Sequence, residues 1–192
     1  HNGGDTRGFH YVQGGYLRKG FSKHGPLSNP YAFGYFKAMP HNKVPRFTHN
    51  FIIYEGAGLP DRYLGKLLGV EPIQGRVVLS DRTAIGSSFK TQDTGHPIKT
   101  SDKWFRPVDI KSGPDGAVYV CDWYDSQVNH YRNHEGRIDP QNGRVYRLRT
   151  NGAAILDSFD LAKLTTPELI ALLRHKDKWH RQTALRLLGD WK

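Results

Sequence analysis

WFRPVDIKSGPDGAVYVCDWYD, residues 104–125, is the stretch that decides the fold. Pro114–Gly116 supplies a tight turn, because Pro fixes φ, Asp bonds its own backbone and Gly permits a positive φ. Apolar side chains alternate before the turn, in Val108–Ile110, and after it, in Val118–Val120. The pattern predicts a β-hairpin. A single hairpin is not stable alone in water, so it must belong to a larger sheet.

Further strands with the same pattern lie on both sides of this hairpin. A two-residue turn at Gln74-Gly75 joins two of them. The predicted strands are residues 47–55, 66–73, 76–82, 88–92 and 143–149. They repeat in units of roughly 45–50 residues, the size of a propeller blade. The sequence predicts a mainly β protein in which residues 1–150 form about three blades, fewer than the minimum of about four in a closed propeller.

The last forty residues change character. Thr166 as N-cap and Pro167 as the first helical residue predict a helix start, and Asp177 predicts the cap of a second helix. Residues 165–192 then form a helical hairpin of the size used in HEAT repeats, after a linker at 151–164. One such pair cannot bury its own apolar stripe. We expect it to pack on the propeller or on further helices.

Bulk composition excludes few classes of protein. A single cysteine, Cys121, rules out an intrachain disulfide, and we expect it to be a small buried residue. No apolar run is long enough to span a bilayer as a helix. The chain begins at His1 and its only methionine is Met39, so we expect a piece of a longer protein.

The formal net charge of +10 at pH 7 raises the question of nucleic acid. No zinc-finger, RNP or basic-helix pattern accompanies the charge, so nucleic acid is the least favoured partner. The alternatives are a solvated basic face, a surface that meets other parts of the protein, and a site for an anionic ligand.

The motifs together resemble a known family. WFRPVD at 104–109, GPDG at 113–116, DWYD at 122–125 and GRVYRL at 143–148 look like one block. The block resembles the membrane-bound-dehydrogenase-like propellers of planctomycete and verrucomicrobial bacteria. These are relatives of the quinoprotein glucose and sorbosone dehydrogenases, and HEAT repeats follow their propeller.

The resemblance implies an enzyme that uses pyrroloquinoline quinone (PQQ) and Ca²⁺ to oxidise a hydroxyl or hemiacetal carbon of a sugar or alcohol. It also implies missing blades of the same protein, an electron acceptor such as a cytochrome c domain, and a periplasmic or other extracytoplasmic location with membrane association of the full-length protein. The family's catalytic histidine lies in an earlier blade and has no counterpart here. No CxxCH is present to attach haem to this chain.

The candidate site residues gather at the strand ends of the opening stretch and in the loop that follows it. Arginine offers a fork for PQQ carboxylates, Asp122 and Asp125 offer hard oxygens for Ca²⁺, and Trp123 offers a flat face for stacking. The predicted cofactor-binding residues are Arg106, Asp109, Trp123, Arg144, His130 and His134, and the predicted metal ligands are Asp122 and Asp125.

Each candidate also has a structural interpretation. Asp109 and Asp122 can bond backbone N–H groups at turns, and Arg106 can bridge to Asp122 or Asp125. Trp123 can pack between blades, and the two histidines can be loop hydrogen-bonders. His180-Arg181 is predicted to be exposed. The alternative function is a non-catalytic propeller and HEAT module that binds a glycan or protein partner.

Overall fold

The computed structural model is mainly β, with two antiparallel sheets followed by two helices. The described residues are 7–17, 35–42, 50–126, 128, 139, 141–153 and 156–190. Within them, β1 (Tyr16–Leu17) and β2 (Tyr35–Phe36) form a short parallel pair. Neither described helix is long and apolar enough to cross a membrane.

The first sheet is a four-stranded antiparallel meander in chain order. Its strands are β3 (Phe51–Ile53), β4 (Leu67–Glu71), β5 (Arg76–Ile85) and β6 (Ser88–Lys99). Gly75 (φ 60°) and Gly86 (φ 54°) turn the chain between strands in a conformation that favours glycine. The predicted strand at 88–92 is correct in place but too short, because β6 continues to Lys99 with shifts in its register against β5.

The second sheet contains the hairpin predicted from the opening stretch. It consists of β7 (Pro107–Ser112), β8 (Val118–Asp122) and β9 (Arg144–Leu148), all antiparallel. The turn bonds Gly116 N–H to Gly113 O at 3.1 Å, and Asp115 Oδ1 accepts Ala117 N–H at 3.1 Å. This confirms the local prediction from Pro-Asp-Gly.

The core lies between the facing surfaces of the two sheets. The first sheet and its flank contribute Tyr54, Leu68, Val70 and Val77, and the second contributes Ile110, Val118 and Val120, each at most 1% exposed. Burying an aliphatic side chain of this size contributes about 1.5–3 kcal/mol before the entropic cost of ordering it. Ile110, Val118 and Val120 therefore point into this core as predicted. Val108 does not belong to the core cluster and is half-buried, at the point where the register of β7 against β8 shifts.

The helical hairpin consists of α1 (Thr166–Leu172) and α2 (Lys178–Asp190). The N-cap of α1 is Thr165, one residue earlier than predicted. Its partner in a capping box is Glu168, whose Oε2 accepts Thr165 N–H at 2.7 Å. Leu169 and Ala184 are buried, whereas Ile170 and Leu185 remain 54% and 63% exposed. The hairpin therefore covers only part of its apolar surface within the described chain.

The hairpin docks at the 113–116 turn. Lys178 N–H donates to Glu55 O, and His180 Nε2 bonds Pro114 O, each at 2.8 Å. His180 is only 9% exposed, so the prediction that it is an exposed position is wrong. A histidine at the start of a helix gives no sequence sign that a turn some 60 residues away will cover it.

Candidate functional site

The predicted site residues lie at one edge of the sheets, which we call the Asp122 edge. It comprises Asn50 and Asp109 with residues 71–76, 104–106, 122–126 and 144. Here β3, β5, β7 and β9 begin and β4 and β8 end. Asn50 Nδ2 donates to Asp109 Oδ1, and this bond joins the two sheets at this edge. The described candidates all lie at this edge: Arg106, Asp109, Asp122, Trp123, Asp125 and Arg144.

Asp122 binds backbone rather than a ligand with one of its two oxygens. Oδ1 accepts the N–H of Arg106 at 2.8 Å and the N–H of Tyr124 at 2.9 Å. The residue is 4% exposed, and Oδ2 is buried without a hydrogen-bond partner among the residues that the structure describes. Asp122 therefore fixes the start of β7 to the loop after β8, as its structural interpretation predicted.

Two of the three guanidinium nitrogens of Arg106 donate to backbone carbonyls. Nη1 donates to its own neighbour Phe105 O at 3.1 Å, and Nη2 donates to Ser126 O at 2.9 Å. Nε is buried and has no hydrogen-bond partner within the described part of the chain. Arg106 meets Asp122 through its backbone N–H, which donates to Asp122 Oδ1, and not through an ion pair of the two side chains.

Aromatic side chains line the outer part of this edge. Trp123 is 44% exposed, so much of its ring faces solvent. Tyr124 follows it with φ 59°, a conformation rare outside glycine, and its ring packs at 5.7 Å from that of Trp104. The predicted cofactor residue Arg144 lies over the same tyrosine ring at 4.7 Å. This leaves Trp123 as the open flat face of the edge.

Asp109 and Asp125 are also held within the protein. Asp109 accepts from Asn50 and from the N–H of Ile110, and these bonds outweigh its partial burial, so the pKa of Asp109 lies below its usual value. Asp125 is 5% exposed; its N–H donates to Trp104 O at 3.0 Å, and Ser126 Oγ lies 3.4 Å from its Oδ1. His130 and His134 lie outside the described residues.

Residues 18–152 match a family described as a domain of unknown function, DUF7133. The chain belongs to the DUF7133 family. No curated protein and no solved structure matches it. The match covers both sheets and ends before the helical hairpin.

Asp122 and Asp125 of this DUF7133 domain do not by themselves supply the ligand set of a calcium site. Ca²⁺ takes about six to eight oxygen ligands, and Asp122 offers one oxygen that is not already bonded. Among the described residues, Asp122 and Asp125 belong to no group of three acidic, histidine or cysteine side chains at ligand distance. No step of an oxidation is therefore assigned to them.

Sequence reasoning missed a buried ionic cluster on the first sheet of the DUF7133 domain. Arg7, 2% exposed, forms a forked ion pair with Asp93, whose Oδ1 also accepts from Ser80. His41 Nδ1 lies 2.8 Å from Thr91 Oγ1, and burial followed by the charge of Arg7 lowers the pKa of His41. These residues are separated by up to 86 positions, so no local sequence motif indicated the cluster. The cluster fastens the early segment to β5 and β6.

A second group that the sequence did not indicate lies at the opposite edge, which we call the Gly116 edge. It comprises residues 54–58, 113–117 and 150 together with the docked helix start at 175–181. His175, Asp177 and His180 bring ligand-type atoms within 4.8 Å of one another. The pattern His-x-Asp-x-x-His was present in the sequence, but Asp177 was interpreted only as a helix cap.

Proposed function

We propose that residues 50–148 are two consecutive blades of an incomplete β-propeller. The first sheet is a four-stranded meander in chain order, as a blade is. After its outer strand β6, the chain returns to β7, which lies against β3 and β4. A return of this kind, repeated, generates a ring of blades with facing apolar surfaces. The exposed outer strand β9, with Val145 65% exposed, leaves room for further chain.

For the function, we propose that this domain forms part of a PQQ-dependent sugar or alcohol dehydrogenase-like protein and contributes the wall of its ligand pocket. Trp123 carries the proposal: an indole that is 44% exposed lies at the edge where both sheets present their polar residues. An aromatic face of this kind suits the apolar face of a sugar ring. The oxidising cofactor would accept a hydride or two electrons from the substrate, and this chain's residues would orient the substrate.

In this proposal, the catalytic base and the calcium ligands come from residues other than these. Arg106, Asp109 and Asp122 already bond protein groups, so they shape the edge and hold Trp123 in position. Trp123 N–H donates to Arg106 O at 3.0 Å, which ties the backbone of the proposed stacking residue to the same scaffold.

The hydrogen bonds of these side chains within the protein also favour a second candidate function. A scaffold in which Arg106, Asp109 and Asp122 bond other protein groups fits a non-catalytic module that binds a glycan or a protein partner. In that case Trp123 is the contact residue and no cofactor is involved.

One experiment separates the two functions. PQQ with Ca²⁺ is titrated into the full-length protein that contains this chain, and dye-linked oxidation is assayed over a panel of sugars and alcohols. We expect saturable PQQ binding and turnover. Absence of both, together with calorimetric binding of a glycan, would establish the binding module instead.

Variants at two tryptophans locate the ligand. Trp123→Ala should raise the apparent KM several-fold, since the loss of one aromatic stack corresponds to about 1 kcal/mol. Trp104→Ala is the matched control, because Trp104 packs on Tyr124 at the same edge. Equal effects of the two variants on KM, or an effect of Trp123→Ala on stability alone, would contradict a role of Trp123 in binding.

A further inference from the structure

The turn between α1 and α2 concentrates three side chains that can hold a metal ion. His175 Nδ1 lies 3.8 Å from Asp177 Oδ2, and the rings of His175 and His180 have centroids 4.1 Å apart. Asp177 and His180 are 6% and 9% exposed, whereas the side chain of His175 is 30% exposed. The group is therefore largely enclosed but open to solvent on the His175 side.

The hydrogen bond of His180 fixes which of its nitrogens is available. Nε2 lies 2.8 Å from Pro114 O, and a carbonyl oxygen only accepts, so Nε2 carries the proton. In the neutral ring, Nδ1 then has a free lone pair. This Nδ1 is buried and has no hydrogen-bond partner among the described residues. A carbonyl that orients the far nitrogen of a histidine is the usual outer partner of a metal ligand.

Asp177 supplies the second unpaired atom. Its Oδ1 is buried and lacks a hydrogen-bond partner within the described ranges. The third candidate, His175, accepts the N–H of Asp177 on Nδ1 at 3.0 Å, so this nitrogen is unprotonated but its single lone pair is engaged. An ion bound there would replace this N–H bond. Two unpartnered donor atoms, on Asp177 and His180, therefore lie beside a third donor that the ion would take over from a backbone N–H.

The surroundings hold this arrangement in place. Phe159 stacks on the His180 ring at 5.6 Å, and Trp179 packs against that ring edge-on at 5.1 Å. Nearby positive charge is partly offset, because Lys178 and Arg181 both pair with Glu55. Close backbone limits the other side, where a Cβ on Gly116 would lie 3.1 Å from Asp177 Oδ1.

We propose that His175, Asp177 and His180 bind one divalent transition-metal ion, with zinc as the best match. Two imidazoles and one carboxylate are the ligand set of three-ligand zinc sites, in which water or an external ligand takes the fourth position. Ca²⁺ is disfavoured because it takes oxygen ligands almost exclusively. The ion would fix the ring of His180 in the orientation in which its Nε2 contacts Pro114 of the 113–116 turn.

Binding is tested on the metal-free 192-residue chain. Zn²⁺ is titrated calorimetrically, and Co²⁺ is used as a spectroscopic substitute whose visible absorption reports tetrahedral coordination. We expect one ion bound at this site and a melting temperature that rises with Zn²⁺ and returns with EDTA, because the ion binds the folded chain. No binding of either ion to the wild-type chain would overturn the proposal.

Conservative variants assign the binding to these residues. Asp177→Asn keeps the shape of the side chain but removes its charge, and His180→Gln keeps an N–H donor for Pro114 O but lacks the ring nitrogen. Each should weaken Zn²⁺ binding by more than about tenfold, the lower range seen even for outer-shell changes. His96→Gln, on β6, is the control and should bind as the wild type does. Unchanged affinity in both variants, or equal loss in the control, would refute the site.

Discussion

The Asp122 edge and the Gly116 edge are held together by different kinds of hydrogen bond. At the Asp122 edge, side chains bond backbone groups: Asp122 accepts two N–H groups and Arg106 donates to two carbonyls. At the Gly116 edge, backbone meets backbone directly, with Gly58 N–H donating to Gly116 O at 3.2 Å and Thr150 N–H to Gly58 O at 2.8 Å.

The difference determines what each edge can tolerate. Side chains at the Asp122 edge have room, and Trp123 and Arg144 are exposed there. At the Gly116 edge a Cβ on Gly58 would come within 2.5 Å of the backbone of Gly116 and Ala117. The Asp122 edge can therefore accommodate changes of side chain, and the Gly116 edge serves as the fixed joint on which the helical hairpin is mounted.

The largest expected effect is that of Gly116→Ala. Its φ is +71°, and a Cβ would lie 2.5 Å from Gly58 N, so strain adds to a backbone clash. We expect a loss of about 4 kcal/mol in the free energy of unfolding, measured by urea denaturation. Gly65→Ala is the matched control, because its φ is +72° and nothing lies within 4 Å. It should lose only about 1 kcal/mol.

The losses of these two variants test whether the backbones approach closely at the Gly116 edge. Equal losses for Gly116→Ala and Gly65→Ala would mean that the close backbone approach at the Gly116 edge is absent in solution. Failure of Gly116→Ala alone to fold would be the expected effect in its extreme form.

The next largest effect is that of Asp122→Ala. Two buried N–H groups lose their acceptor, and each unsatisfied group costs about 1–3 kcal/mol, so we expect a loss of about 3 kcal/mol. Asp122→Asn retains an oxygen and should lose about 1 kcal/mol. Both values come from urea denaturation.

Added Ca²⁺ sharpens the same test. The wild-type free energy of unfolding should not change with Ca²⁺, because Asp122 serves the backbone. Stabilisation by Ca²⁺ that disappears in Asp122→Asn would instead make this carboxylate a metal ligand, in agreement with the sequence-based hypothesis.

What the sequence predicted correctly depends on local contacts. The 113–116 turn and the strands on either side of it follow from neighbouring residues whose conformational preferences agree. The structural interpretation of Asp122 was available for the same reason, since an aspartate at a strand end commonly binds nearby N–H groups.

What the sequence did not predict depends on distant contacts. β6 was expected to end at residue 92, because Asp93, Gly95 and Pro97 are typical of loops. The strand continues because Arg7 compensates the charge of Asp93 and because β6 is an edge strand, where proline is tolerated. For the group of His175, Asp177 and His180 the pattern was present in the sequence, but the contact of His180 with Pro114, which buries and orients its ring, depends on a distant residue.

Glu71 at the Asp122 edge should make the free energy of unfolding depend on pH. Burial raises its pKa above the ordinary 4.5, and the bond and charge of Arg76 only partly oppose this. The folded chain therefore holds this proton more tightly than the unfolded chain does. Its stabilising contribution is present below pH 4.5 and is lost as the pH rises through the folded pKa, by at most about 1.4 kcal/mol per pH unit.

Glu71→Gln removes this dependence. The free energy of unfolding is measured for both proteins at pH 5 and pH 7.5. We expect the variant to gain stability relative to the wild type at the higher pH. A difference between the two proteins that stays constant with pH would show that Glu71 is not desolvated at this edge.

The smallest expected effect concerns the charges at the Gly116 edge. Glu55 pairs with Lys178 at 3.4 Å and with Arg181 at 2.6 Å, but all three side chains are 30–40% exposed. Glu55→Gln should lower the free energy of unfolding by about 0.5 kcal/mol, as exposed pairs do, and 1 M NaCl should remove the difference. A loss above about 2 kcal/mol that persists in salt would contradict the expectation.

The reason for so small an effect is that the hairpin is docked through the main chain: Lys178 N–H bonds the carbonyl of residue 55, which the substitution leaves in place. The ion pairs then select the orientation of α2, and the backbone joint and the His180 contact hold it.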